Sequence, residues 1–97
     1  MDLLVELEQK KDENVFTITP QAQEYFGLEY EISVFLVYNV NQRWPLAILK
    51  GTLMKDTVLK YRGEPVSHYY YGNGENITNY EVILKIGGEE IKKEINF

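Results

Sequence analysis

Ninety-seven residues and 11.4 kDa allow one domain, 1–97, which buries roughly 60–65% of the surface its unfolded chain would expose. With 44% apolar and 26% charged residues, a mean hydropathy of −0.33 and a net charge of −5, the composition is that of a folded acidic protein; it argues against disorder and against general binding to phosphate backbones or anionic membranes. No run approaches the ~18 apolar residues of a membrane span, no basic region precedes the apolar residues at the start as in a secretory signal, and the absence of cysteine excludes disulfides, thiolate catalysis and cysteine-ligated zinc. A cytoplasmic location is the resulting expectation.

Leu3, Val5 and Leu7 alternate with Leu4, Glu6 and Glu8, the period-two signature of a half-buried strand. The polar stretch Lys10 to Asn14 predicts a turn, and Val15 to Thr19 a second strand, which completes a hairpin. A short helix is expected over about 20–26: Thr19 as cap, Pro20 at the first helical position, and Gly27 as the stop. Ala22, Tyr25 and Phe26 fall at helical spacing, so this helix is expected to cover the open end of a sheet.

Tyr30 to Val40 is apolar on both alternating faces, which predicts a central strand covered on both sides. Asn41 to Pro45 reads as a turn and Leu46 to Leu49 as extended, with a bend or bulge at Gly51. Thr52 to Arg62 continues as strand, broken near Asp56, and Gly63-Glu64-Pro65 turns the chain. His68 to Tyr71 is an aromatic strand followed by the turn Gly72-Asn73-Gly74. Ile77 to Ile86 and Glu89 to Phe97 flank Gly87-Gly88, a two-residue hairpin signal whose register sets Leu84 against Ile91 and Tyr80 against Ile95. The fold class is therefore mainly β: one antiparallel barrel or sandwich of about seven or eight strands, with one short helix and a C-terminal Gly-Gly hairpin.

No constellation for catalysis emerges. His68 is the only histidine, and its neighbour Ser67 points to the opposite face of an extended strand, beyond its reach as a base. A lone histidine without cysteine furnishes no usual zinc set, and the turn around Asn73, Glu75 and Asn76 lacks calcium-loop spacing. Glu6/Glu8 and Glu29/Glu31 each share a strand face about 7 Å apart, a spacing compatible with paired acid and base but also that of a solvated face. The glycine turns lack the Lys and Ser/Thr of a phosphate loop. A non-enzymatic protein with no cofactor and no metal is expected.

The aromatic load stands above background: eight tyrosines and one tryptophan. Of three consecutive strand tyrosines, Tyr69 and Tyr71 face outward if Tyr70 is buried. Exposed Tyr, Trp and Arg are the residue types that anchor protein interfaces, so Arg43, Trp44, Tyr61, Tyr69 and Tyr71 are the candidate protein-binding residues; rings lining the rim of a small barrel are the alternative.

Val15 to Pro20, the segment Gln21 to Phe26, Gly27-Leu28 and then Glu29 to Leu36 locally resembles the AbrB/MazE-type swapped-hairpin transcription regulators, over about a quarter of the chain. The resemblance implies a dimeric DNA-binding regulator. It departs from the family at Tyr30-Glu31, where a Gly-Asp turn stands, and at the first strand, where Glu6 and Glu8 replace basic residues.

The reading that follows is a small acidic module binding a protein partner with a basic surface, nucleic acid and membrane being disfavoured. The excess of lysine over arginine, eight to two, with abundant Asn, Ile and Glu, suggests an AT-rich genome and an accessory or inhibitor protein of a phage or other mobile element. Alternatives are the dimeric DNA-binding regulator and a ligand-binding barrel lined by Tyr38, Trp44, Tyr61 and Tyr70. A homodimer by edge-strand pairing at the C-terminal hairpin is a further expectation.

Overall fold

The side chains of Leu3, Val5 and Leu7 enter the interior while Leu4, Glu6 and Glu8 stay outside, as their alternation dictates. They lie on β1 (Asp2–Gln9), which pairs antiparallel with β2 (Asn14–Gln21) in an unbroken ladder from Asp2 opposite Gln21 to Gln9 opposite Asn14. The computed structural model describes residues 1–39, 41–65 and 77–96.

The expected helix over 20–26 is not formed. Pro20 and Gln21 complete β2, and only a 3-10 turn, Gln23–Tyr25, follows. The reason is tertiary. Pro20 faces Leu3 across the hairpin, buried with it, and the strand on the other side of β2 has already ended at Ile18, so the missing N–H of Pro20 forfeits no ladder bond there. Thr19 is thus a strand residue, not a cap. Ala22 is buried, Tyr25 is half-buried and Phe26 is exposed, so the expected apolar helical face does not exist. Gly27, with φ of 89°, donates its N–H to Leu53 O at 2.8 Å, and Leu53 donates to Leu28 O at 2.8 Å, tying this turn to the opposite sheet.

β3 (Glu29–Tyr38) is central in the second sheet, between β4 (Gln42–Thr52) and β6 (Ile77–Ile86), with β7 (Glu89–Ile95) beyond. Its even-numbered side chains, Ile32, Val34 and Leu36, are fully buried. Its odd face is buried in part as well, at Ser33 and Val37, with Phe35 partly exposed; among the described residues the first sheet lies on the even face. The expected turn over 41–45 is also shorter, because β4 begins at Gln42; Asn39 supplies the tight reversal with φ of 49° and accepts the Asn41 N–H at 2.8 Å. Pro45 is admitted to β4 because β4 is an edge strand, and a register shift between Val34 and Phe35 leaves Leu46 as an extra residue.

β4 ends at Thr52. A turn in which Met54 N–H donates to Thr57 Oγ1 at 2.9 Å carries the chain across to β5 (Leu59–Gly63), which pairs with β2 in the other sheet. Thr52 to Arg62 is therefore two strands of different sheets. β6 and β7 meet across Gly87-Gly88 with Ile86 opposite Glu89, Leu84 opposite Ile91 and Tyr80 opposite Ile95. Val40, the His68–Tyr71 strand, the Gly72-Asn73-Gly74 turn and Phe97 lie outside the described residues.

Seven strands among the described residues thus form two antiparallel sheets, β1-β2-β5 and β4-β3-β6-β7. They enclose one core in which Leu3, Phe16 and Ile18 of the first meet Ile32, Val34, Tyr80 and Val82 of the second. The barrel alternative is overturned. β1 and β7 lie side by side, bridged by Lys93 Nζ and Asp2 Oδ1 at 3.2 Å, but belong to separate sheets, and β4 and β5 do not pair. Of the residues expected to line a ligand cavity, Trp44 and Tyr61 border an open cleft whose described lining does not include Tyr38, and Tyr70 lies outside the described residues.

Gly87 has φ of 60°, and a Cβ at this position would collide with the Tyr25 ring. Gly88, with φ of 79°, faces open space. Both substitutions to alanine force a left-handed residue, at about 1–2 kcal/mol, but only Gly87→Ala also displaces Tyr25. Thermal denaturation is expected to show Gly87→Ala as the less stable of the two; equal losses would mean that Tyr25 yields freely.

Candidate functional site

Arg43 and Trp44 are neighbours on β4 and so point to opposite sides of the sheet. Trp44 stands opposite Leu36 on the core side, but at the sheet edge, where 57% of its surface stays exposed. Tyr61 stands opposite Phe16 on β5, half-buried, its ring centroid 5.8 Å from that of Phe16. Because the β4 and β5 edges do not join, Trp44 and Tyr61 line one open cleft of about 540 Å³ between the sheets.

Pro45 and Leu46 extend its apolar wall; Asp12, Glu13 and Glu64 supply carboxylates, and Arg62 the only cation among its lining residues. That cation is engaged: Arg62 Nη1 donates to Glu13 Oε1 at 2.7 Å, and Lys10 Nζ lies 4.0 Å from the same oxygen. Burial, and then the negative charge of Glu64, raise the Tyr61 hydroxyl above its ordinary pKa. The cleft thus offers two aromatic rings beside three carboxylates, one of which is paired with Arg62.

Arg43 is elsewhere. It lies opposite Val37 on the outer face of the four-stranded sheet, where Nε and Nη2 donate to Glu81 Oε1 at 2.8 Å and Oε2 at 3.0 Å. Glu81 is only 1% exposed, and Lys92 Nζ lies 3.8 Å from its Oε2. The Arg43 hydrogen bonds hold its carboxyl below the usual carboxylate range against the opposing effect of burial, with the charges of Arg43 and Lys92 adding to the depression. Of the five candidate residues the fold therefore unites Trp44 and Tyr61, and commits Arg43 to an ion pair on another face. Tyr69 and Tyr71 lie outside the described residues, as do Ser67, His68, Asn73, Glu75 and Asn76.

Sequence reasoning missed the acidic wall and Glu81. Asp12 and Glu13 read as turn residues, and only the pairing of β5 with β2 brings Glu64 toward them. Glu81 falls in an alternation with Asn79 and Lys85, which reads as a solvated face; its partner is 38 residues away. Glu6 and Glu8 are exposed on the outer face of the three-stranded sheet, whereas Glu29 and Glu31 border a groove of about 830 Å³ together with Lys50, Lys85 and Glu90. Among the described residues no three His, Asp or Glu side chains converge as metal ligands, and no helix is long and apolar enough to cross a membrane. No family model, curated protein or solved structure matches the chain.

Proposed function

We propose that the chain is a non-enzymatic protein-binding module whose Trp44–Tyr61 cleft receives a basic segment of a partner protein. The observation that carries this reading is the conjunction of an exposed indole with a second aromatic ring and three carboxylates in one open cleft. A partner Arg or Lys fits both features at once: its charge is drawn by the carboxylates, and a guanidinium stacks on the indole face. The net charge of −5 steers such a partner and raises the association rate more than the final affinity.

Trp44 is the single tryptophan, so its fluorescence reports on the cleft directly. The test is affinity capture with the full chain, followed by titration of the captured protein against wild type, Trp44→Ala and Arg43→Ala. Trp44→Ala is expected to weaken binding about 30-fold or more, as loss of a central aromatic anchor does. Arg43→Ala is expected to leave affinity within a few-fold, and association is expected to slow as salt rises. A partner that binds Trp44→Ala as tightly as wild type would disprove the assignment.

A further inference from the structure

The outer face of the four-stranded sheet is the second large surface, and no strand of the first sheet reaches it among the described residues. Its side chains stand in rows across the strands. One row runs Lys50, Glu31, Lys85, Glu90 from β4 to β7, and the next runs Ile48, Ser33, Ile83, Lys92. Lys50, Lys85 and Glu90 are exposed and Glu31 is partly exposed; among the described residues none of the four is in an ion pair. Ile48, at 59% exposure, is among the most exposed large apolar residues described.

We infer that this face is the seat of a second copy of the chain, packed sheet on sheet about a two-fold axis running along the strands. The charge order carries the inference. A two-fold along the strands reverses the row from left to right, so Lys50 meets Glu90 of the partner subunit and Glu31 meets Lys85 of the partner subunit, with both reciprocal pairs formed by symmetry. All four charges of the row are thereby matched. In the neighbouring row Ser33 is buried beneath its neighbours, and the same operation lays the exposed Ile48 on the aliphatic stem of Lys92 of the partner subunit. A two-fold across the strands has no such complementarity, because it sets the charged row against the Arg43–Val37–Asn79 row at the far end.

Geometry and area agree. Sheets packed face to face keep their strands nearly aligned, as this axis requires. Four strands spaced by about 4.8 Å and paired over about eight residues present a face of roughly 500 Å² per copy, which reaches about 1,000 Å² for the pair, the lower bound for a specific interface. The strand edges are less suited to self-association. β4 carries Pro45 and a register shift, and β7 is dense in Lys and Glu, both devices that discourage strand addition.

The experiment is sedimentation equilibrium of the full chain over a concentration series, for wild type, Lys85→Glu, Glu31→Lys and an equimolar mixture of the two variants. Wild type is expected to approach twice the 11.4 kDa chain mass at high concentration. Each single variant sets like charges opposite each other across the axis, and its dimer Kd is expected to rise at least tenfold. In the mixture the two carboxylates of the Lys85→Glu chain meet the two ammonium groups of the Glu31→Lys chain, so association returns as a heterodimer. Far-ultraviolet circular dichroism checks folding; if either variant is unfolded, Lys50→Glu and Glu90→Lys, the outer pair of the same row, replace them. A wild type that stays monomeric overturns the inference, as does a dimer indifferent to the single variants or a mixture that fails to associate.

Discussion

Replacing Phe16 by alanine is expected to lower the unfolding free energy by about 3–5 kcal/mol, the usual loss for emptying a buried aromatic site. Phe16 is 1% exposed and stands at the meeting of the two sheets. Its ring is T-shaped against Tyr80 at a centroid distance of 4.8 Å and tilted against Tyr61 at 5.8 Å. A domain of this size has only about 5–15 kcal/mol in total, so at least about a fifth of its stability is lost. Denaturant unfolding followed by circular dichroism is the measurement: the midpoint falls sharply while the slope is preserved. A loss under about 1 kcal/mol would mean that the site collapses around the cavity and that the ring is not the hinge of the core. The substitution also reaches function. With Phe16 gone Tyr61 loses the ring packed against it, so the affinity of the proposed basic partner is expected to fall even where the variant remains folded.

Glu81→Gln is the second large effect. It keeps the shape of the side chain but removes the carboxylate that accepts two N–H bonds from Arg43 and faces Lys92. Hydrogen bonds to charged groups contribute about 1.5–3 kcal/mol each when buried. Arg43 is half in water and recovers part of that by hydration, so about 2 kcal/mol is expected, or roughly 8–16 °C in Tm. The pH dependence follows from the depressed carboxyl pKa. A carboxylate more acidic in the folded than in the unfolded chain contributes stability that is fully present above its unfolded value and is lost as pH falls through the folded one. The gap between wild type and Glu81→Gln is therefore expected to be widest near neutral pH and to close as pH drops below about 4. A gap that stays constant down to pH 2 would assign the effect to packing instead of charge.

Much of the fold is legible along the chain because its determinants are local. The alternation of Leu3, Val5 and Leu7 with polar neighbours, broken by Lys10 to Asn14 and resumed at Val15, specifies a hairpin, since only one register buries both apolar sets. The length of the apolar run after Tyr30 marks β3 as central. Gly87-Gly88 between two alternating segments places a tight turn. Composition alone indicates a small acidic domain without thiol chemistry.

The helix shows where local grammar stops. Thr19-Pro20 before an Ala- and Gln-containing segment and a Gly stop satisfies helix rules, yet β1 extends far enough to pair Asp2 with Gln21. Ladder bonds and the burial of Pro20 against Leu3 outweigh the weak propensity of so short a helix. Exposed aromatics were readable as a residue class, and Trp44 and Tyr61 do share a cleft. What joined them was the failure of β4 and β5 to pair, which no local pattern encodes. The same holds for Arg43 and Glu81. Each sits in an ordinary strand position, and only the packing of β3 between β4 and β6 brings a guanidinium to a carboxylate buried from water. Pattern and turn chemistry act over a few residues and so determined the strands; the sites arise from pairings tens of residues apart, so only the tertiary structure decided which residues meet.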